Sequence, residues 1–443
     1  MRTSKEFHVE EPHILKSALF KWSRQFNEVA WLDSNDYDQH PSTYDAILAV
    51  EAFTALKTDY HGAFEKLGEY QRITQDWLFG YLSNDLKNDI EDLSSNNFDG
   101  LQFPDLYFFQ PQKLFFLKGD KLELHYLRVV DDEMERDFQD IIKISKQAEQ
   151  EVRFEKNNVQ NSLNISARIS REQYLEKVEE MLKHISRGDI YEANFCQEFF
   201  AKGAAIDPVE VFTKLNAISL PPFAVFLKLE DHYLLSASPE RYLRKSGDKI
   251  LSQPIKGTAR RSKNQVEDAE IAADLEKDDK ERSENIMIVD LVRNDLSRIA
   301  RKGSVNVDEL CKVYTFKQVH QMISTISADL EKGIPPVEVL RSTFPMGSMT
   351  GAPKISAMKI IEELEETKRG LYSGAVGYFS PEGDFDFNVV IRSILYNSDN
   401  KYTSFSVGGA ITSRSIPEKE YEECLLKAEA MRQALILQGK ISD

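Results

Sequence analysis

Two periodicities share this chain, and they do not take turns. Segments such as Phe223-Ala224-Val225-Phe226-Leu227-Lys228-Leu229 and Tyr402-Thr403-Ser404-Phe405-Ser406-Val407 read as strands, while helical apolar stripes occupy roughly 265–298, 353–366 and 417–437. A doubly wound parallel sheet needs each strand to be followed by a helix. That regular succession is missing, so the fold expected is α+β. One helix start is specific: Ser170-Arg171-Glu172-Gln173 has the form of a capping box, and Leu175, Val178, Leu182 and Ile185 continue an apolar stripe as far as Gly188.

Before that helix, residues 1 to about 140 mix short apolar runs (Ala46 to Val50, Leu114 to Leu117) with turn-rich stretches, and contain no catalytic grouping. From Lys146 to Asn164 the composition turns polar, as in a surface connection. We therefore expect an N-terminal region, 1–150, and a second region, 165–440, with one intertwined unit as the alternative. At 443 residues and 41% hydrophobic, the chain can build either.

Charge excludes several functions. Against 73 Asp and Glu stand 56 Lys and Arg, and a net charge of −17 argues against general binding to nucleic acid or to an anionic membrane. An anionic ligand would need local cations or a metal. No apolar run approaches the ~18 residues that span a bilayer, and the first residues are polar, so a cytoplasmic location is expected. Cys196, Cys311 and Cys424 lie far apart, which fits buried reduced thiols rather than a disulfide framework or a Cys-x-x-Cys metal site.

Some charges fall on faces that should be apolar. At about 100° per residue, Glu284 projects between Met287, Ile288 and Leu291. Burying an unpaired carboxylate is costly, so Glu284 requires a cation, a proton or a cleft, and a salt bridge to a nearby Arg is the plainest solution. In the last helix Glu420, Glu423 and Lys427 share a face beside Cys424 and Ala428. Two carboxylates at i, i+3 repel unless a positive charge lies between them. A hard ion such as Mg²⁺ suits that place, although Glu-x-x-Glu is common on solvated helices.

Other segments suit an anion. Pro345 to Lys354 joins glycines and hydroxyls to a Lys ahead of a helix that Pro353 can start, though the spacing is not that of a P-loop. Gly408 and Gly409 permit close backbone approach, or a bulge. Arg392 lies in a strand-like apolar run, where it can clamp a carboxylate or pair with Asp386. His320 is either a site residue or a satisfied core histidine.

Together these segments resemble the chorismate-utilising enzymes. The resemblance runs through Gly188 to Asn194, Ser238-Pro239-Glu240-Arg241, Glu284 to Leu296, Gly347 to Lys354, Ala375 to Tyr378, Ile391 to Ser393 and Glu418 to Ala428, covering most of 165–440. It implies two large antiparallel sheets packed together with helices outside. It also implies Mg²⁺ held by Glu284, Glu420 and Glu423, and chorismate contacted by His320, Thr350, Tyr378, Arg392, Gly408, Gly409 and Lys427. Where relatives often carry Gly-x-Gly-Ile-Val, this chain has Gly408-Gly409-Ala410-Ile411-Thr412, so that Ala410 adds a methyl at a close-approach position and an altered fit is expected there. Trp31-Leu32-Asp33-Ser34 is similar to a segment of the family's tryptophan pocket.

Within the family, Pro254-Ile255-Lys256-Gly257-Thr258 resembles the aminodeoxychorismate synthase branch, where Lys stands in place of Ala. In a dry pocket the pKa of Lys256 is expected to fall and free the amine as a nucleophile. The resemblance implies that Lys256 adds at C2 of chorismate while Glu240 protonates the departing C4 hydroxyl. Ammonia then displaces Lys256 to give 4-amino-4-deoxychorismate, the precursor of 4-aminobenzoate in folate synthesis. No cysteine here sits in a nucleophile elbow, so a separate glutamine amidotransferase subunit is the expected ammonia source. Alternatives are the anthranilate-forming branch and a non-catalytic chorismate-binding paralogue.

Overall fold

The computed structural model describes residues 2–37, 44–151 and 163–436. Its strands join antiparallel into one hydrogen-bonded network with two arms. Both arms start from the long strand Leu106–Lys118, which pairs with Ala46–Thr58 along one edge and with Leu78–Leu82 and Lys121–Leu127 along the other. One arm continues from Ala46–Thr58 through Glu28–Asp33, Phe223–Leu229, His232–Ser238, Ser393–Asn397 and Tyr402–Thr412 to Glu192–Lys202. The other continues from Leu78–Leu82 through Ala375–Phe379, Phe385–Val389, Arg241–Ser246 and Lys249–Gln253 to Val319–Asp329, which also pairs with Ile255–Arg260 and Asn306–Thr315.

Alternation along the strands explains the layering. Ala30, Ala49 and Leu227 of the first arm pack with Phe79, Val376, Phe387 and Ile250 of the second, forming a core between two sheets. The opposite face of the first arm carries Leu48, Phe226, Leu235, Ile394 and Phe405. Helices Pro12–Trp22, Arg171–Arg187, Pro208–Ser219 and Pro417–Ile436 contribute to the core that covers it. The fold is thus α+β, with packed antiparallel sheets and outer helices. Strands from the first 130 residues sit inside both arms, because Glu28–Asp33 pairs with Phe223–Leu229 and Leu78–Leu82 with Ala375–Phe379. Helix Met134–Glu151 runs past Lys146, where the polar connection was expected to begin, and residues 152–162 of that connection lie outside the described residues.

Ser170 caps its helix as expected, with reciprocal bonds to Gln173 and a left-handed Gly188 at the end. The stripe expected as one helix over 265–298 is two, Gln265–Lys277 and Asp279–Ser297. Asp278 separates them: its extended backbone ends one helix, and its carboxylate accepts from the N–H groups of Lys280 and Glu281 to cap the next. That cap fixes where Glu281 and Glu284 project.

A buried arginine ties the site-bearing strand to its neighbours. The Arg369 guanidinium donates to both Glu365 oxygens at 2.9 and 2.7 Å, to the Met349 carbonyl at 2.6 Å and to the Asn194 carbonyl at 2.7 Å. Glu365 in turn accepts from the Cys196 N–H at 2.9 Å. Removing one member of such a pair strands the other charge in the interior. Arg369→Leu is expected to cost about 3–5 kcal/mol in denaturant unfolding. Arg293→Ala, which breaks an exposed ion pair with Asp290, should cost under about 1 kcal/mol.

Candidate active site

Lys256 lies at an irregularity in the strand Ile255–Arg260, whose register against Val319–Asp329 shifts between Ile255 and Thr258. A bulge of this kind re-aims a side chain. Gly257 supports it with a φ of +85°, and a Cβ there would come within 3.2 Å of Glu281 and Leu275. The Lys256 side chain, 11% exposed, donates to Glu192 Oε1 at 3.2 Å. Burial acts to lower its pKa, but the carboxylates of Glu192, Glu284 and Glu240 outweigh burial and raise it. The expected depression of the Lys256 pKa is therefore corrected: the resting side chain is an ammonium held by carboxylates.

Glu240 follows the strand His232–Ser238 and is 4% exposed. Burial pushes its carboxyl up to about 7, against the opposing influence of Ser348 and Lys256. A carboxyl that keeps its proton near neutral pH can act as a general acid. It stands close enough to Lys256 for each to perturb the other.

Glu284, Glu420 and Glu423 converge from helices Asp279–Ser297 and Pro417–Ile436. Lys280 Nζ stands between the first two, 3.8 Å from Glu284 and 3.7 Å from Glu420. Glu423 pairs with Lys427 at 2.7 Å, and Lys427 also donates to the Gly408 carbonyl at 2.9 Å. Burial pushes Glu284 up to about 7. Burial raises Glu423 as well, but Lys427 prevails and leaves its pKa below the ordinary range. Gly409 matters for its missing side chain, since a Cβ there would lie 3.4 Å from Glu420 and 3.6 Å from Glu423. Among the described residues no three acid, His or Cys side chains are already gathered into a metal cage. The cluster nevertheless suits a hard cation: Glu281, Glu284, Glu420 and Glu423 outnumber Lys280 and Lys427, and Glu284 Oε1 is buried without a hydrogen-bond partner among the described residues.

The expected substrate contacts divide. Arg392 is not within a strand: Phe385–Val389 ends before it, Ser393–Asn397 begins after it, and its φ is +50°. Asp386 pairs with Arg241 at 3.0 Å instead. The Arg392 guanidinium makes no hydrogen bond or ion pair among the described residues, and burial alone lowers its pKa. Thr350 is buried, with its hydroxyl turned to the Met346 and Gly347 carbonyls at 3.3 Å. Both ring nitrogens of His320 are engaged, by Thr315 and Asp268 at 3.0 Å each.

Tyr378 packs on Trp77 and Phe79 and feels the charge of Asp386, which puts it in different company from Lys256. Ala410 is accommodated in the ladder opposite Asn194. Leu32, Asp33 and Ser34 line a separate cavity with Tyr44, Phe223 and Arg241. Sequence reasoning missed Glu192 and Lys280. The second had a local signal, because it lies four residues before Glu284. The first had none, because its partner is 64 residues away.

The Glu240 carboxyl yields a pH prediction. Unfolded it titrates near 4.5 and folded near 7, so the folded state binds the proton more tightly. The stability this brings is complete below about pH 4.5 and is lost as pH rises through about 7. Glu240→Gln keeps a neutral group, so its melting temperature should exceed that of the unsubstituted protein at pH 8, with the gap closing towards pH 5.

Comparison with known proteins gives a consistent family. A model described as chorismate binding enzyme matches residues 13–433. The chloroplastic aminodeoxychorismate synthase of Arabidopsis thaliana is 42% identical over 270 residues, 60% of this chain and 29% of that protein. This chain thus spans under a third of the plant protein's length. Aminodeoxychorismate synthase component 1 of Bacillus subtilis is 31% identical over 371 residues, 82% of this chain and 77% of that one. The crystal structure of anthranilate synthase component I from Streptococcus pneumoniae superposes with a TM-score of 0.74 at 25% identity, covering 89% of this chain and 93% of that one. With its packed antiparallel sheets and a family match across nearly its whole length, the chain belongs to the chorismate binding enzymes.

Proposed function

We propose that this chain converts chorismate and ammonia to 4-amino-4-deoxychorismate, with Lys256 as nucleophile and Glu240 as general acid. The observation that carries the reading is one buried site in which a lysine stands beside a carboxyl that holds its proton near neutral pH. Relatives named for this activity support the same branch. An anthranilate synthase component I has the same fold, so the product must decide between the two.

Chorismate brings two carboxylates. Arg392, desolvated and without a protein partner among the described residues, is suited to receive one of them bidentately. Lys427 offers a second positive charge beside the Gly408–Gly409 backbone. Glu284, Glu420 and Glu423 would hold Mg²⁺, with Lys280 displaced from between the first two. That ion would offset the negative charge of substrate and carboxylates. Once neutral, the Lys256 amine attacks C2, the ring double bonds shift, and the C4–O bond breaks as Glu240 gives its proton to the leaving hydroxyl. Ammonia then adds at C4, the C2–N bond breaks, and Glu240 recovers a proton from the new ammonium. The enolpyruvyl ether is untouched. The ammonia would come from a glutamine amidotransferase subunit, since the three cysteines are buried and burial pushes Cys196 up to about 12 and Cys424 to about 11.

Purified protein with chorismate, Mg²⁺ and ammonium should give a product that retains the enolpyruvyl group and carries an amine at C4, identified by mass spectrometry. Lys256→Ala and chelation of the metal should each abolish it. Anthranilate as the product would overturn the branch assignment.

A further inference from the structure

The proposed attack needs a neutral amine, yet Lys256 rests as an ammonium. Its proton needs an acceptor within reach, and a side chain only 11% exposed has little access to water. Among the described residues the Lys256 ammonium donates a side-chain hydrogen bond to one group, Glu192 Oε1, at 3.2 Å. Glu192 is 2% exposed, and its other oxygen, Oε2, is buried with no hydrogen-bond partner among the described residues. Such an oxygen has lost water without gaining a donor.

Among the described residues the remaining charged groups that face this pair are Glu240 from the link between His232–Ser238 and Arg241–Ser246, Glu281 and Glu284 from helix Asp279–Ser297, and Glu423 from helix Pro417–Ile436. Glu240 already holds a proton near neutral pH and serves as the acid. Glu284 and Glu423 are set against Lys280 and Lys427, and Glu281 lies beside Lys280. Among the described residues Glu192 has no competing cation within hydrogen-bond reach.

We infer that Glu192 is a catalytic residue: the base that takes a proton from the Lys256 ammonium before attack and returns it when the amine is expelled. This inference rests on the reading of Lys256 as the nucleophile. The proton balance closes. Glu192 becomes a carboxylic acid as Lys256 becomes an amine. Attack at C2 makes a secondary ammonium while Glu240 loses its proton to the departing water. Ammonia adds at C4 and the C2–N pair returns to Lys256 as a neutral amine. The C4 ammonium then reprotonates Glu240, and Glu192 reprotonates Lys256. Chorismate and ammonia have become 4-amino-4-deoxychorismate and water.

The test compares Glu192→Gln and Glu192→Asp with the unsubstituted enzyme at a fixed concentration of neutral ammonia, from pH 6.5 to 9.5. Glu240 titrates in all three, so rate ratios isolate Glu192. With the base removed, Glu192→Gln should be slower at pH 7 by roughly 10²- to 10⁴-fold, and the deficit should shrink about tenfold per pH unit as solvent deprotonates Lys256. Glu192→Asp keeps a carboxylate and should retain the parent pH profile at a lower rate. A pH-independent deficit in Glu192→Gln would reduce Glu192 to a positioning role and overturn the inference. So would higher activity at pH 7, the result if Glu192 only restrains the ammonium. Should the Gln variant not fold, an altered profile in the Asp variant overturns it equally. Lys256→Ala separates the two readings: activity retained there defeats the nucleophile itself, whereas activity lost there with an undisturbed Glu192→Gln defeats only the base.

Discussion

A dehydrated lysine held by carboxylates from separate elements is the constraint around which this molecule is arranged. Lys256 comes from the far end of one sheet arm, Glu192 from the far end of the other, and Glu284 from a helix that Asp278 caps. None of these charges would be tolerable in the interior alone, since each loses hydration worth several kcal/mol. Together they are tolerable, and the two arms must close face to face for them to meet. The core between the arms, with Phe79, Val376 and Phe387 opposite Ala30, Ala49 and Leu227, provides that closure.

The balance of charge also bears on how an acidic chain would receive the anion proposed as its substrate. The positive charge of the site is held locally: Lys256, Lys280 and Lys427 each stand against carboxylates, while the Arg392 guanidinium is buried without a partner among the described residues. Arg392 owes its position to a break between two strands and to a left-handed backbone, so its guanidinium does not take a place in the regular alternation of either. Gly409 leaves space over Glu420 and Glu423, and Gly257 lets Glu281 approach the strand that carries Lys256.

How much of this the sequence discloses depends on the range of each interaction. Local signals read well: the Ser170 cap, the apolar stripe that ends at Gly188, and the placement of Glu284 and Glu420 where a carboxylate is costly, whereas Glu423 keeps 41% of its side chain exposed. Strand alternation and the absence of βαβ order gave the fold class. Readings that needed a distant partner were less secure. Arg392 sits in an apolar run that looks like an unbroken strand, and only the tertiary fold shows the break. The fall expected for the Lys256 pKa followed from burial alone, whereas the outcome depends on carboxylates supplied by remote segments. Tyr378 matches the run Ala375 to Tyr378, but its ring belongs to the Trp77 and Phe79 cluster. Glu192 reads as a routine polar position in a strand until Lys256 is placed against it.

The proposed reaction turns on a covalent bond between Lys256 and the substrate ring. Intact-mass analysis of the protein after rapid acid quench, with chorismate and Mg²⁺ present and ammonia withheld, tests this directly. The expected result is a mass gain of one chorismate less one water, mapped by peptide sequencing to Lys256 and discharged when ammonia is added. An unmodified protein throughout, or an adduct on any other residue, would contradict it.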